Sequence, residues 1–171
     1  ICDCSDNFGT RYLINDACII LKKPLIYGSV QGFEGQVSVF NLKNNSPNFR
    51  DLLPNPPEQG AIPNCTDYGV IGISPGIIGI LQANEIIKII IKKGKVLDGE
   101  ILVFNLLENS MKKLNLTVSK HAKKINDLVT NLKDYESDMN CENIKRISHV
   151  EFRKIYQTNL NEIIIFDVRE K

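Results

Sequence analysis

The sequence predicts an α/β fold, and three observations carry that prediction. Apolar stretches with strand-like alternation exchange along the chain with stretches at helical spacing, the pattern of strands joined by helices. Residues 62–94 run from a small polar loop holding one cysteine, Cys65, into a long apolar segment with helix start and stop signals. Near the beginning, Asp6 and Asn7 stand where a strand hands over to a helix, the place where open α/β sheets bind ligands.

Each element has its own warrant. Residues 1–4 read as the end of a strand. Ser5 or Asp6 can cap a helix from about Asn7 to Lys22, with Phe8, Tyr12, Leu13, Ala17, Ile20 and Leu21 at helical spacing and Pro24 as its stop. Residues 25–29 form a short apolar strand, and residues 35–42 alternate as a half-buried strand does. Residues 43–64 are rich in Asn, Pro and Ser without periodicity, which predicts a long loop of the functional or mobile kind.

In the apolar segment Ser74 can serve as N-cap and Pro75 as the first helical residue. Lys88, Lys92 and Lys93 gather at the negative end of the dipole, and Gly94 fits a left-handed stop. Ile77, Ile78, Leu81, Ile86, Ile89 and Ile90 cover most of the cylinder, so this helix is expected to be buried on several sides as the central helix of the larger domain. Pro75, the glycines, Asn84 and Glu85 break the apolar run before it reaches the roughly 20 residues of a membrane span. Residues 100–106 and 111–118 read as two strands around the turn Glu108-Asn109-Ser110. Residues 119–146 are charged, with a weak helical pattern at Ile125, Leu128, Val129 and Leu132, and make the linker candidate. Ser148 caps a further helix to about Thr158, with Val150, Phe152, Ile155 and Tyr156 inward, and residues 162–168 read as a buried strand.

The totals bound the function. A chain of 171 residues can bury one good core, or one domain and a piece of another. With 21 basic and 20 acidic residues the net charge is +1, which draws the chain neither to nucleic acid nor to a membrane. The lysine run at Lys112, Lys113, Lys120, Lys123 and Lys124 lacks interleaved aromatics and reads as a solvated face or linker. Five cysteines without a C-x-x-C pair argue against a disulfide framework and a thiolate zinc site, and point to a reducing compartment. Cys2 and Cys4 alternate about Asp3 and are expected on opposite faces, Cys18 is expected inward on its helix, and neither Cys18 nor Cys141 is given a role. The opening without methionine and the close on IIIFDVREK read as an internal fragment of a longer protein.

Two residues carry candidate chemistry. Asp6 can hold Mg²⁺ on a polyphosphate, or simply cap a helix. Cys65, in a loop feeding a helix, can be a nucleophile stabilised by backbone dipoles, or a small buried hydrophobe.

Three motifs in order, DCSDNFGTRYLINDACIILKKPLIYGSVQGFEGQVSVF, LPNPPEQG and IPNCTDYGVIGISPGIIGILQANEIIK, resemble the molybdopterin-synthase and thiamine-biosynthesis adenylyltransferases, bacterial-type relatives of ubiquitin-activating enzymes. SHVEFRKIYQ followed by IIIFDVRE resembles the start of a rhodanese domain, and LKDYE resembles what precedes one in fused members. The resemblance implies the C-terminal half of a Rossmann-like adenylating domain over residues 1–118, a linker over 119–146 and the start of a truncated rhodanese α/β domain over 147–171. The family's phosphate loop would precede Ile1, and the rhodanese cysteine would follow Lys171.

The activity implied is ATP- and Mg²⁺-dependent adenylation of the C-terminal glycine of a ubiquitin-like sulfur carrier, then sulfur transfer to give a thiocarboxylate. That product serves tRNA thiolation, molybdopterin synthesis or both, in the cytoplasm. A cysteine desulfurase would be the upstream sulfur donor, and neither a membrane nor a nucleic acid is a direct partner. Asp6 and Asn7 match the family's nucleotide and Mg²⁺ groups, Cys65 its acyl-accepting cysteine, and Arg11 and Asn15 its bracing residues. A homodimer is implied, with the apolar surface on residues 35–42 and the central helix available for it. Two rivals stand beside this reading: an adenylating enzyme that leaves Cys65 unused, and a pseudo-enzyme that docks the carrier without activating it. The family also holds zinc with two C-x-x-C pairs. Where the first is expected this chain has Asn48-Phe49-Arg50-Asp51, and SKHAKKINDL, where the second is expected, holds no cysteine. Zinc is therefore not expected, His121 reads as solvated, and the loop at 43–64 must be held by other means or be mobile.

Overall fold

The computed structural model describes residues 1–57, 69–119, 125–128, 135 and 148–158. The chain divides into two compact units, Ile1–Met139 and Asn140–Lys171.

The first unit is built on a five-stranded sheet. Its described elements run β1 (Cys2–Asp3), α1 (Phe8–Ile20), β2 (Leu25–Gln31), β3 (Glu34–Phe40), α2 (Phe49–Leu52), α3 (Ile73–Ile91), β4 (Glu100–Asn105) and β5 (Ser110–Asn115). Strand order follows chain order. β1 and β2 are parallel, pairing Cys2 with Ile26 and Asp3 with Tyr27, because α1 carries the chain back across the sheet between them. The remaining neighbours are antiparallel, so a single β–α–β unit leads into a meander.

Alternation along the strands divides the core into two layers. Leu25, Tyr27 and Phe40 point to one face and pack with Tyr12 and Cys18 of α1, Phe49 of α2, and Tyr135. Tyr27, Phe40 and Phe49 form a tilted aromatic group with ring centres 5.4–6.3 Å apart. Ile26, Val37 and Val39 point to the other face and meet Ile78 of α3 and Leu97. Tyr135 is only 2% exposed, so the charged segment after β5 returns at least one side chain to this core.

Several elements differ from the sequence reading. α1 is capped by Asn7 rather than Ser5 or Asp6: Asn7 is extended at φ −129° and ψ 147°, and its side chain accepts from the Thr10 amide. The long loop contains a short helix, α2, which four residues are too few to reveal by periodicity. Ser74 lies inside α3 rather than at its cap; the cap is Gly72, and the buried Ser74 hydroxyl donates to the Gly32 carbonyl at 3.1 Å. The left-handed stop is taken by Lys92 at φ 54°, two residues before Gly94, itself left-handed at φ 81°.

α3 is covered on one side only. Ser74, Ile78, Gln82 and Glu85 are its buried residues, whereas Ile80 is 71% and Ile90 72% exposed, and Ile73, Ile87 and Ile91 are exposed with them. The sequence showed apolar side chains round the cylinder, but among the described residues only the sheet lies against it. By length and composition α3 could cross a membrane; within this chain Gln82 reaches β1 and Glu85 the Leu97 amide. Residues 35–42 are not an outer surface either, because β3 is the middle strand and most of its residues are buried.

In the second unit, α4 (His149–Thr158) begins after Ser148, whose carbonyl accepts the Phe152 amide at 2.8 Å. Phe152 stacks on Tyr156 with ring centres 5.9 Å apart. Ile155 and Tyr156, expected inward, are exposed. The expected strand at 162–168 and the helical positions Val129 and Leu132 lie outside the described residues, and Ile125 and Leu128 are not helical.

Candidate active site

The turn from β1 into α1 builds the site. Asp3, at the end of β1, is buried and faces its own chain: its Oδ1 accepts from the Ser5 amide at 2.9 Å and the Ser5 hydroxyl at 2.6 Å. That Asx-type turn lifts the next residue out of the strand direction. Asp6 is consequently exposed at the positive end of a 13-residue helix. Among the described residues no lysine or arginine pairs with it, and it accepts only a long 3.5 Å contact from the Asn7 amide nitrogen. Asn7 uses its oxygen on Thr10 at 2.8 Å, which leaves its NH₂ group facing Asp6.

Arg11 and Asn15 lie further along α1 and are buried. Arg11 donates from Nη2 to the Ser5 carbonyl at 2.7 Å and from Nη1 to the Tyr27 hydroxyl at 3.3 Å, with its guanidinium over the Tyr27 ring. It thereby ties the turn before Asp6 to β2. Asn15 accepts the Phe49 amide at 2.9 Å and donates to Asp16 at 3.1 Å. The structure thus places Asp6 and Asn7 together at the carboxyl end of β1, and Arg11 and Asn15 beneath them. Cys65, Cys141 and His121 lie outside the described residues.

Residues singled out by no motif complete the support. Gln82 reaches from α3 to the β1 carbonyl of Asp3 at 2.8 Å, while Cys4 Sγ contacts its Oε1 at 3.8 Å. Gly28 makes room for it, since a Cβ there would come within 2.5 Å of Gln82. Glu85 accepts the Leu97 amide at 3.0 Å and pairs with Lys88, which also donates to the Lys95 carbonyl at 2.7 Å. Arg50 grips Asp16 with two bonds of 2.8 Å, both residues being buried, and lies over the Tyr12 ring. The polar Gln82 and Glu85 inside an otherwise apolar helix were the available signal for the first two contacts. The Arg50–Asp16 pair spans 34 positions and left no local trace.

The cysteines correct one expectation. Cys2 and Cys4 do not diverge: their sulfurs are 3.8 Å apart, because residues two apart along an extended chain share one face, and it is Asp3 between them that points the other way. Burial, and then the hydrogen bond with Cys4, pushes the Cys2 thiol up to about 11. Burial also raises Cys18. At neutral pH both are protonated and poor nucleophiles.

The donors present fit a magnesium polyphosphate: one free exposed carboxylate, an amide NH₂ beside it and a helix N-terminus behind it. They do not fit a thiolate zinc site. At the positions of the first C-x-x-C pair stand an amide and a carboxylate, and both oxygens of Asp51 and the side-chain oxygen of Asn48 are already hydrogen-bonded within the chain.

The model of the ThiF family matches residues 1–127, about three-quarters of the chain. The chain belongs to the ThiF family. Its sequence is 38% identical over 184 aligned residues to the adenylyltransferase and sulfurtransferase MOCS3 of Aedes aegypti, covering 99% of this chain and 42% of that protein. It is 43% identical over 120 residues to the sulfur carrier protein adenylyltransferase of Thermus thermophilus, covering 68% of this chain and 44% of that one. This ThiF-family chain therefore spans less than half the length of these curated relatives. Among solved structures, E. coli MccB with MccA-N7isoASN shares the fold at a TM-score of 0.58 and 12% identity, over 74% of this chain and 39% of that one. The ATP complex of MccB gives a TM-score of 0.57, also at 12% identity, covering 73% of this chain and 39% of that one. The mixed α/β sheet described above thus shares the fold of MccB.

Proposed function

We propose that the full-length protein adenylates the C-terminal glycine of a ubiquitin-like sulfur carrier and then helps convert it to a thiocarboxylate. The observation that carries this reading is the exposed Asp6 carboxylate, which no cation pairs among the described residues, held out at the N-terminus of α1 in a chain of the ThiF family. Bound there, Mg²⁺ would neutralise polyphosphate charge as it develops on the leaving pyrophosphate. Asp6 supplies the carboxylate for that ion, and the Asn7 NH₂ donates to a nucleotide oxygen. Arg11, through the Ser5 carbonyl, fixes the turn so that Asp6 need not reorganise during reaction. The carrier's carboxylate oxygen attacks the α-phosphorus, pyrophosphate leaves, and an acyl-adenylate forms.

Cys65 then takes the acyl group, its thiolate attacking the acyl carbon as AMP departs to leave a thioester. Sulfur arrives as a persulfide on a rhodanese cysteine, loaded by a donor such as a cysteine desulfurase. Its outer sulfur attacks the acyl carbon and displaces the Cys65 thiolate, giving an acyl-disulfide. That thiolate then attacks the rhodanese sulfur, releasing the thiocarboxylate and leaving a disulfide between the two cysteines. The product serves tRNA thiolation, molybdopterin synthesis or both, in the cytoplasm. The working form is a homodimer. In the domain plan, residues 1–118 complete the adenylating domain, 119–146 link, and 147–171 begin the rhodanese domain.

Cys65→Ser in the full-length protein tests the covalent step. ATP–pyrophosphate exchange dependent on the carrier is expected to persist, while mass spectrometry of the carrier finds no thiocarboxylate. Thiocarboxylate at the wild-type level would remove Cys65 from the mechanism, and carrier binding without any exchange would leave a docking module.

A further inference from the structure

The family's zinc, through two thiolate pairs, would clamp the segment before the LPNPPEQG motif to the segment after the last strand. This chain keeps that connection with different chemistry. Asp51 stands at the second position of the missing first pair and Asn48 at the first. Asp51 Oδ2 accepts the Asn48 amide at 2.8 Å and the Asn48 side-chain NH₂ at 2.7 Å, closing a capping box around α2. Its other oxygen, Oδ1, accepts the Ser119 amide at 2.7 Å, across 68 positions of sequence. Asn48 Oδ1 takes the Arg50 amide at 2.8 Å, and Arg50 carries the segment inward to Asp16.

We infer that Asp51 is a carboxylate staple that replaces the zinc, joining α2 to the segment that follows β5 without a metal. The residue type suits the role. A carboxylate offers about four acceptor sites, and three here meet N–H donors with short, charge-assisted geometry. A metal would have to strip these oxygens of the three donors they already hold, in exchange for hard oxygen ligands where a structural zinc prefers thiolates. The aromatic Phe49 between the two positions is 2% exposed, and its amide is held by Asn15, so the staple also fixes the wall of the core beside Tyr12.

The inference rests on the family assignment and not on the proposed activity, so the tests are separable. The full-length protein, purified without chelators, is analysed for metal by mass spectrometry. Its thermal unfolding is then followed with and without 1,10-phenanthroline, beside Asp51→Asn and Asp51→Ala. The staple predicts well under one zinc per chain and a Tm unmoved by the chelator. It predicts a Tm roughly 5–10 °C lower in both variants, for a domain of this size losing charged hydrogen bonds. It also predicts faster hydrogen exchange at the Ser119 amide in Asp51→Asn. One tightly held zinc whose removal lowers Tm, or variants as stable as wild type, would overturn it. If neither variant folds, the zinc content and chelator response of the wild type still decide. Loss of pyrophosphate exchange in a zinc-free, stapled protein would count against the activity and leave the staple standing.

Discussion

Asp16 and Arg50 illustrate how a buried charge commits its surroundings. The carboxylate is fully buried and the guanidinium nearly so, and each supplies the other's compensation through two parallel bonds. Removing one partner strands the other. Arg50→Ala or Asp16→Ala is expected to cost about 3–5 kcal/mol in denaturant unfolding, far more than an exposed ion pair such as Lys43–Asp98 returns. Tyr12 beside them gives a pH signature. Burial, and to a lesser extent Asp16, pushes its phenol well above the ordinary value, against the opposing pull of Arg50, and the hydroxyl donates to the Leu53 carbonyl at 2.9 Å. The folded state thus holds a proton that the unfolded state releases near pH 10. The stabilisation is complete below that pH and is lost as pH rises toward the folded value. A pH series of unfolding midpoints should therefore decline above about pH 10, and Tyr12→Phe should flatten the decline. At this scale Asp6 was legible because its surroundings are local, a strand end and a helix start within a few positions. Arg50–Asp16 was not, because only the folded chain brings positions 34 apart together.

α3 shows the same division at the scale of an element. Its existence and approximate ends were readable from proline, lysines and apolar density, all of them local signals. Which side it buries depends on the sheet, and the sequence expectation of a helix enclosed on several sides failed there. Gln82 and Glu85 reveal the contacting face because a polar side chain in an apolar helix must find a partner or forfeit a buried hydrogen bond. The Gly28–Gln82 contact yields a double-mutant cycle. Gly28→Ala displaces Gln82 from the Asp3 carbonyl, and Gln82→Ala takes away that carbonyl's side-chain donor, each at about 1–3 kcal/mol. Together they should cost less than their sum, since the alanine side chains no longer compete for the same space. Additive losses would mean that the two positions do not share one contact.

For the whole molecule, the α/β class was legible from alternating segments. The order of strands was not: a single parallel pair followed by an antiparallel meander is fixed by long-range pairing. The Asn/Pro/Ser-rich loop concealed α2 because the capping box that makes a four-residue helix worthwhile depends on Asp51 and Asn48 meeting. The exposed row Ile73, Ile80, Ile87 and Ile91 follows from one-sided coverage of α3, and in the proposed homodimer it is the contact surface. Light scattering of the full-length protein should give twice the chain mass, falling to the chain mass in an Ile80→Glu/Ile87→Glu variant. An unchanged mass in that variant would move the interface elsewhere.

The proposed activity depends most on Asp6 as the carboxylate that receives the metal–nucleotide complex. Carrier-dependent ATP–pyrophosphate exchange, compared between full-length wild type and Asp6→Ala with matched thermal stability, tests this directly. A loss on the order of 10²-fold or more is expected from deleting the group that anchors the metal at the reacting phosphates. Exchange within about twofold of wild type, below the loss expected for any group stabilising the transition state, would contradict it.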